Sequence, residues 1–161
     1  MIVLLMGPAG SGKTTIGTML AAQLKWEFVD GDSLHPASNV EKIRRGIPLT
    51  DEDRRPWLDA IHDVMESRSA DGRDLIVGCS ALKQTYRERL LGVPGVNLVY
   101  LKGSFELLKR RLHERTGHFA GEQILASQFA DLEEPDDAVA VDISAPPEAI
   151  VTEIRKRLGL T

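Results

Sequence analysis

The chain has 161 residues, enough for one domain with one core, and its 42% hydrophobic and 27% charged residues are ordinary for a globular protein. A net charge of −4 argues against a general nucleic-acid binder, and the single cysteine, Cys79, rules out an internal disulfide framework or a Cys/His zinc pattern. The opening Met1-Ile2-Val3-Leu4-Leu5-Met6 has no basic flank and is far too short for a signal peptide or a membrane span, so a cytoplasmic protein is expected.

Ile2–Met6 reads as the first strand. It runs into Gly7-Pro8-Ala9-Gly10-Ser11-Gly12-Lys13-Thr14, and Lys13–Leu24 reads as a helix. Strand, G-x-x-x-x-G-K-[ST] and helix in that order make a phosphate-binding P-loop in its required context. Gly7, Gly10 and Gly12 allow positive φ and close approach to a ligand. Successive N–H groups then form an anion-binding nest, to which the helix adds its positive N-terminal end. Gly7, Pro8, Ala9, Gly10, Ser11, Gly12, Lys13, Thr14 and Thr15 are therefore expected to hold a nucleoside triphosphate. Lys13 would reach the β- and γ-phosphates, and the Thr14 hydroxyl would coordinate Mg²⁺.

A second strand, Glu27–Asp30, ends in Asp30-Gly31-Asp32. Ligands of open parallel sheets bind beyond the carboxyl ends of the strands, so both carboxylates are expected at the mouth of the nucleotide site. One acid can hold Mg²⁺ through water while the other takes the proton of an attacking hydroxyl. Asp32, which borders the next loop, is assigned the base, and Asp30 the metal's surroundings. A solvated D-G turn is the bland alternative. Ser33–Arg55 follows, polar, basic and punctuated by proline, the natural place for a substrate-binding insert.

Helix Asp51–Ser69, strand Leu75–Cys79, helix Gln84–Leu91 and strand Asn97–Leu101 come next. The helix predicted at Ser104–Glu114 carries Lys109, Arg110 and Arg111, with Arg115 just beyond it. Arg111 and Arg115 are four apart and share a face, so one can stack on adenine while the other reaches the phosphates. A solvated basic face at a helix C-terminus is the competing explanation. Helix Gly121–Leu132, strand Ala138–Ile143 and helix Pro147–Leu158 complete the chain. Alternating β and α elements predict an α/β domain, a parallel sheet with helices on both faces. There is no linker or repeat, so residues 1–161 are read as one domain, with Arg115–Pro135 as a lid.

No N-K-x-D guanine signature is present, and Leu75-Ile76-Val77-Gly78-Cys79 does not end in the Asp of a Walker B strand. The pattern suits a small-molecule kinase better than a GTPase or motor ATPase. His62 and His113 fall in helical patterns; His35 and His118, in the two atypical loops, are better candidates. Cys79 and Trp57 read as core.

Asp32-Ser33-Leu34-His35-Pro36, Asn39, Lys42, Gly46, Pro48-Leu49-Thr50-Asp51 and Asp53-Arg54-Arg55-Pro56-Trp57-Leu58 resemble the substrate region of the bacterial-type gluconokinases. So do Cys79-Ser80-Ala81-Leu82-Lys83 with Tyr86-Arg87, Gly117-His118-Phe119, Ser127-Gln128-Phe129 and Leu132-Glu133-Glu134-Pro135. The resemblance covers nearly the whole chain, and the C-S-A-L-K and H-P-x-x-N segments are specific to it. It departs at Pro8-Ala9, where many members have Val-Ser, and at Ala120-Gly121 in the lid. The resemblance implies a three-layer P-loop kinase fold with strand order 2-3-1-4-5, a closing lid and a homodimer. It also implies ATP- and Mg²⁺-dependent phosphorylation of D-gluconate at its 6-hydroxyl.

Gluconate is an anion with several hydroxyls, so its site needs basic and hydrogen-bonding groups. His35, Lys42, Arg45, Arg54, Lys83 and Arg87 supply them, with Lys83 and Arg54 favoured for substrate contact and His35 next. Asp32, Arg87 and His118 complete the expected substrate set. Lys13, Asp32 and Arg115 are the expected catalytic residues. Two other readings stay open: a kinase of another hydroxy acid such as shikimate, and a nucleotide switch without transfer activity. The first would usually present a glycine triplet where this chain has Gly78-Cys79-Ser80.

Overall fold

The computed structural model describes residues 1–116 and 121–160. Five parallel strands lie in the order β2-β3-β1-β4-β5: β1 Ile2–Met6, β2 Glu27–Asp30, β3 Leu75–Gly78, β4 Val96–Lys102 and β5 Val139–Asp142. The order is the expected one. Central β1 pairs Ile2 with both Leu75 and Val96, and all five of its residues are buried. It is apolar throughout because helices cover both faces of the sheet.

Among the described residues seven α-helices flank the sheet: α1 Lys13–Leu24, α2 Ala37–Arg44, α3 Asp51–Ala70, α4 Gln84–Leu91, α5 Phe105–Thr116, α6 Glu122–Asp131 and α7 Pro147–Leu158. Side chains of a strand alternate between faces. Ile2, Leu4 and Met6 accordingly join one core with Trp57, Ile61 and Met65 of α3 and Leu90 of α4. Val3 and Leu5 join the other with Ile16 and Leu20 of α1, Leu108 of α5 and Ile150 and Ile154 of α7. Among the described residues no helix is long and apolar enough to cross a membrane.

Helix α2 was not expected within Ser33–Arg55. It is short, and its Val40 and Ile43 are exposed, so no buried apolar stripe announces it. Its support comes from outside. Lys42 reaches both carboxylate oxygens of Asp53 at 2.8 and 3.0 Å, and Asn39 donates to the Asp53 carbonyl at 2.7 Å. Asp53 also closes a capping box with Thr50, the N-cap of α3. One aspartate therefore starts α3 and anchors α2 to it, and these contacts, led by Lys42, hold its carboxyl down at about 2.

Helix α1 meets β2 where the Phe28 ring packs on Gly17. A Cβ built on Gly17 would stand 2.2 Å from the Phe28 ring, so a larger residue would force the ring or the helix to shift.

Candidate active site

The sequence between β1 and α1 folds as a loop that places Gly10 and Gly12 at φ 81° and 96°, conformations that L side chains rarely adopt. Gly12 is the N-cap of α1, so the first free N–H groups of that helix open at the loop. Thr14 and Thr15 are exposed on its first turn, whereas Ser11 is buried and its backbone N–H donates to the Pro8 carbonyl at 3.2 Å. Lys13 Nζ donates to the carbonyls of Gly7 at 2.7 Å and Pro8 at 3.1 Å. Burial lowers the Lys13 pKa, while Asp32, Cys79 and Asp30 pull it up and Arg115 pushes it down. The loop lysine is thus within electrostatic reach of Asp30 at the end of β2, Asp32 in the turn after it and the arginine at the end of α5. Burial likewise drives the Cys79 thiol up to about 12, which keeps it an uncharged core residue.

Asp30 ends β2 and caps the following 3-10 turn, Gly31–Leu34, by accepting from the Asp32 N–H at 3.0 Å. Asp32 is exposed. Its neighbour His35 stacks on Trp57, with ring centroids 4.3 Å apart and planes 14° apart. Trp57 is core, as expected.

Arg54 and Lys83 flank the Tyr86 ring at 5.5 and 5.7 Å. Arg54 Nη1 donates to the Tyr86 hydroxyl at 2.9 Å, and Tyr86 donates to Asp51 Oδ1. Lys83 Nζ donates to the same carboxylate oxygen at 3.1 Å. Tyr86 and then Lys83 hold the Asp51 carboxyl below its usual range, and Asp51 raises Lys83 in return. Arg54 also lies 3.7 Å from Asp131 at the end of α6. Helix α6 touches the phosphate loop as well, because Gln128 Oε1 accepts from the Ala9 N–H at 2.6 Å. Asp51, Tyr86, Gln128 and Asp131 were not among the expected site residues. Their residue types are common on helices, and only the fold reveals what they face.

Two expectations meet a different arrangement. Arg87 is 4% exposed and donates to the carbonyls of Ala81 at 2.8 Å, Leu82 at 3.0 Å and Glu133 at 2.7 Å. Its guanidinium fastens the loop after β3 to the segment after α6, in place of the substrate contact expected for it. Arg111 donates to the Ile143 carbonyl, tying α5 to the end of β5, and is thereby separated in role from Arg115, which is exposed. His118 lies outside the described residues.

A phosphate loop between β1 and α1, acids ending the adjacent side of the sheet and the order β2-β3-β1-β4-β5 define a P-loop kinase, and the AAA domain family model matches residues 2–135. The thermoresistant gluconokinase of Escherichia coli strain K12 is 43% identical over 155 residues, spanning 93% of this chain and 89% of that protein. The crystal structure of a gluconokinase from Sinorhizobium meliloti 1021 matches at a TM-score of 0.90 and 41% identity, covering 98% of this chain and 90% of that one. The chain belongs to the gluconokinase family. A shikimate kinase from Aquifex aeolicus vf5 shares the fold at a TM-score of 0.61 and 22% identity, covering 99% of this chain and 96% of its own.

Proposed function

We propose that the chain transfers the γ-phosphoryl group of ATP to the 6-hydroxyl of D-gluconate, giving 6-phosphogluconate and ADP. The observation that carries this reading is family membership at about two-fifths identity over nearly the whole chain. The site supports it with a phosphate loop, an exposed carboxylate at Asp32 and a cationic cluster at Arg54 and Lys83 suited to a sugar acid's carboxylate. Asp51 sets a carboxylate of its own against Lys83 and Tyr86, which supports a carboxylate as the group this cluster takes.

In the proposed reaction Lys13 leaves the loop carbonyls and follows the γ-phosphate. Asp32 accepts the proton of the 6-hydroxyl. The hydroxyl oxygen bonds to the γ-phosphorus as the bond to the β–γ bridging oxygen breaks, and its electron pair leaves with ADP. Arg115 stabilises the transferring group. The Thr14 hydroxyl and the Asp30 carboxylate are hard oxygen donors of the type Mg²⁺ prefers, so the residues present fit that ion. Bound there, Mg²⁺ would neutralise phosphate charge. Helix α6 is the proposed lid element, since it contacts the phosphate loop through Gln128 and the acid-binding side through Asp131.

Coupled ADP release over a panel of sugar and hydroxy acids tests the function. Release that depends on gluconate is expected. Dependence on shikimate, or slow release that no acid stimulates, would overturn it.

A further inference from the structure

His35 precedes Pro36, the N-cap of α2, and its ring is held from two directions. Trp57 sets its plane through the stack described above, and Trp57 is fixed in turn by its indole N–H, which donates to the Gly31 carbonyl at 2.8 Å. Asn39 sets what the ring nitrogens carry. Its side-chain nitrogen lies 2.7 Å from the Asp53 carbonyl oxygen and 3.2 Å from His35 Nδ1. A backbone carbonyl can only accept, so the Asn39 atom facing it is the amide nitrogen and not the oxygen. The second hydrogen of that nitrogen then faces Nδ1, which must accept it. The proton of the neutral ring is left on Nε2. Asn39 is buried at 2% exposure, so it has no water to turn to instead.

Protonating Nδ1 would set two donors against each other across 3.2 Å. The surroundings agree. Burial and the nearby Arg54 of α3 disfavour an imidazolium, outweighing the attraction of Asp32. No described residue accepts from Nε2.

We propose that Asn39 holds His35 as the Nε2–H tautomer, making His35 a neutral hydrogen-bond donor to an oxygen of the bound sugar acid and leaving Asp32 to accept the hydroxyl proton. The acceptor's identity rests on the function proposed above, whereas the tautomer does not. Asn39 is then a positioning residue acting through His35. The ring offers substrate a donor and no acceptor, so it selects for an oxygen at that place and cannot serve as a second base.

Protein carrying ¹⁵N-labelled histidine tests the tautomer through two-bond ¹H–¹⁵N correlations near neutral pH, with the His35 signals identified by their loss in His35→Gln. A neutral ring protonated on Nε2 is expected; a ring protonated on Nδ1, or an imidazolium, would overturn the proposal. Asn39→Asp replaces the donor with an acceptor and should move the proton to Nδ1 or charge the ring. Should that buried variant fail to fold, the wild-type spectrum alone decides. Kinetics test the donor. His35→Gln keeps a donor near the position of Nε2, whereas His35→Asn keeps one only near Nδ1. The glutamine variant should exceed the asparagine variant in kcat/KM for gluconate by about three- to tenfold, the worth of one hydrogen bond, with ATP affinity equal in both. Equal or reversed values would overturn the donor role. A wild type with the stated tautomer but no gluconate-dependent ADP release would sink the functional reading and leave the ring assignment standing.

Discussion

The Lys13 ammonium stands 2.7 Å from the Gly7 carbonyl oxygen, turned back onto the loop that carries it. In the proposed nucleotide complex Lys13 would exchange those neutral carbonyls for charged phosphate oxygens, which hold an ammonium more strongly. Lys13→Ala removes the group that follows the migrating phosphoryl, and turnover should fall by roughly a hundredfold or more. Near-normal gluconate-dependent ADP release in this variant would refute the role.

Asp30, which ends β2, and Asp32, just beyond it, should separate by mutation. Asp32→Asn keeps size but removes the base, so ATP affinity should stay near normal while turnover falls by about a hundredfold or more. Asp30→Asn retains an oxygen to accept from the Asp32 N–H and should recover part of its lost rate as Mg²⁺ is raised. Nucleotide affinity and turnover across a Mg²⁺ titration check both. Rescue of Asp32→Asn alone would exchange the assignments.

Arg115 and Arg87 should fail in opposite ways. Arg115 is exposed and close enough to Lys13 to depress its pKa, so Arg115→Ala should lose rate and keep its thermal midpoint. Arg87→Met removes the donor to the buried carbonyls of Ala81 and Leu82 and to the partly buried carbonyl of Glu133. It should cost roughly 2–4 kcal/mol of stability and lower the midpoint by about 5–15 °C. Specific activity of the folded remainder should change far less. A stable, inactive Arg87→Met would restore the substrate contact expected from the sequence.

Acid should reach the junction of α2 and α3 through Asp53. Its carboxyl titrates at about 2 in the fold against an ordinary 3.8. A depressed carboxyl stabilises the fold above its unfolded pKa, and that contribution drains away as pH falls from about 4 towards 2. Asp53→Asn should therefore be less stable than wild type at neutral pH, with the gap narrowing across that window in urea titrations. A gap independent of pH would assign the loss to packing alone.

The sheet was readable because β1, β3 and β4 are buried apolar runs and the glycine-rich loop labels the first crossover. Helix α2 was not, because its supports are Lys42 and Asn39 reaching a residue eleven to fourteen positions away. Arg54, Lys83 and Arg87 look alike in sequence. What distinguishes them is whether carbonyls or a carboxylate lie within reach, and that depends on where the segment after α6 returns, through the Glu133 N–H to the Leu82 carbonyl at 2.8 Å. Lys13, Asp30 and Asp32 were legible because loop and strand end fix where backbone emerges, whatever else the chain does.

Gly17 acts as a spacer. It lies one turn beyond Lys13 on α1, and it presses on Phe28, two residues before Asp30 on β2. A methyl group there would strike the Phe28 ring, so the ring or the helix must shift beside the strand that ends in Asp30. The usual engineering remedy of exchanging a mid-helix glycine for alanine, worth about 1 kcal/mol elsewhere, is closed at this position. The helix forgoes that propensity to keep the segment that bears Lys13 packed against the strand that ends in Asp30.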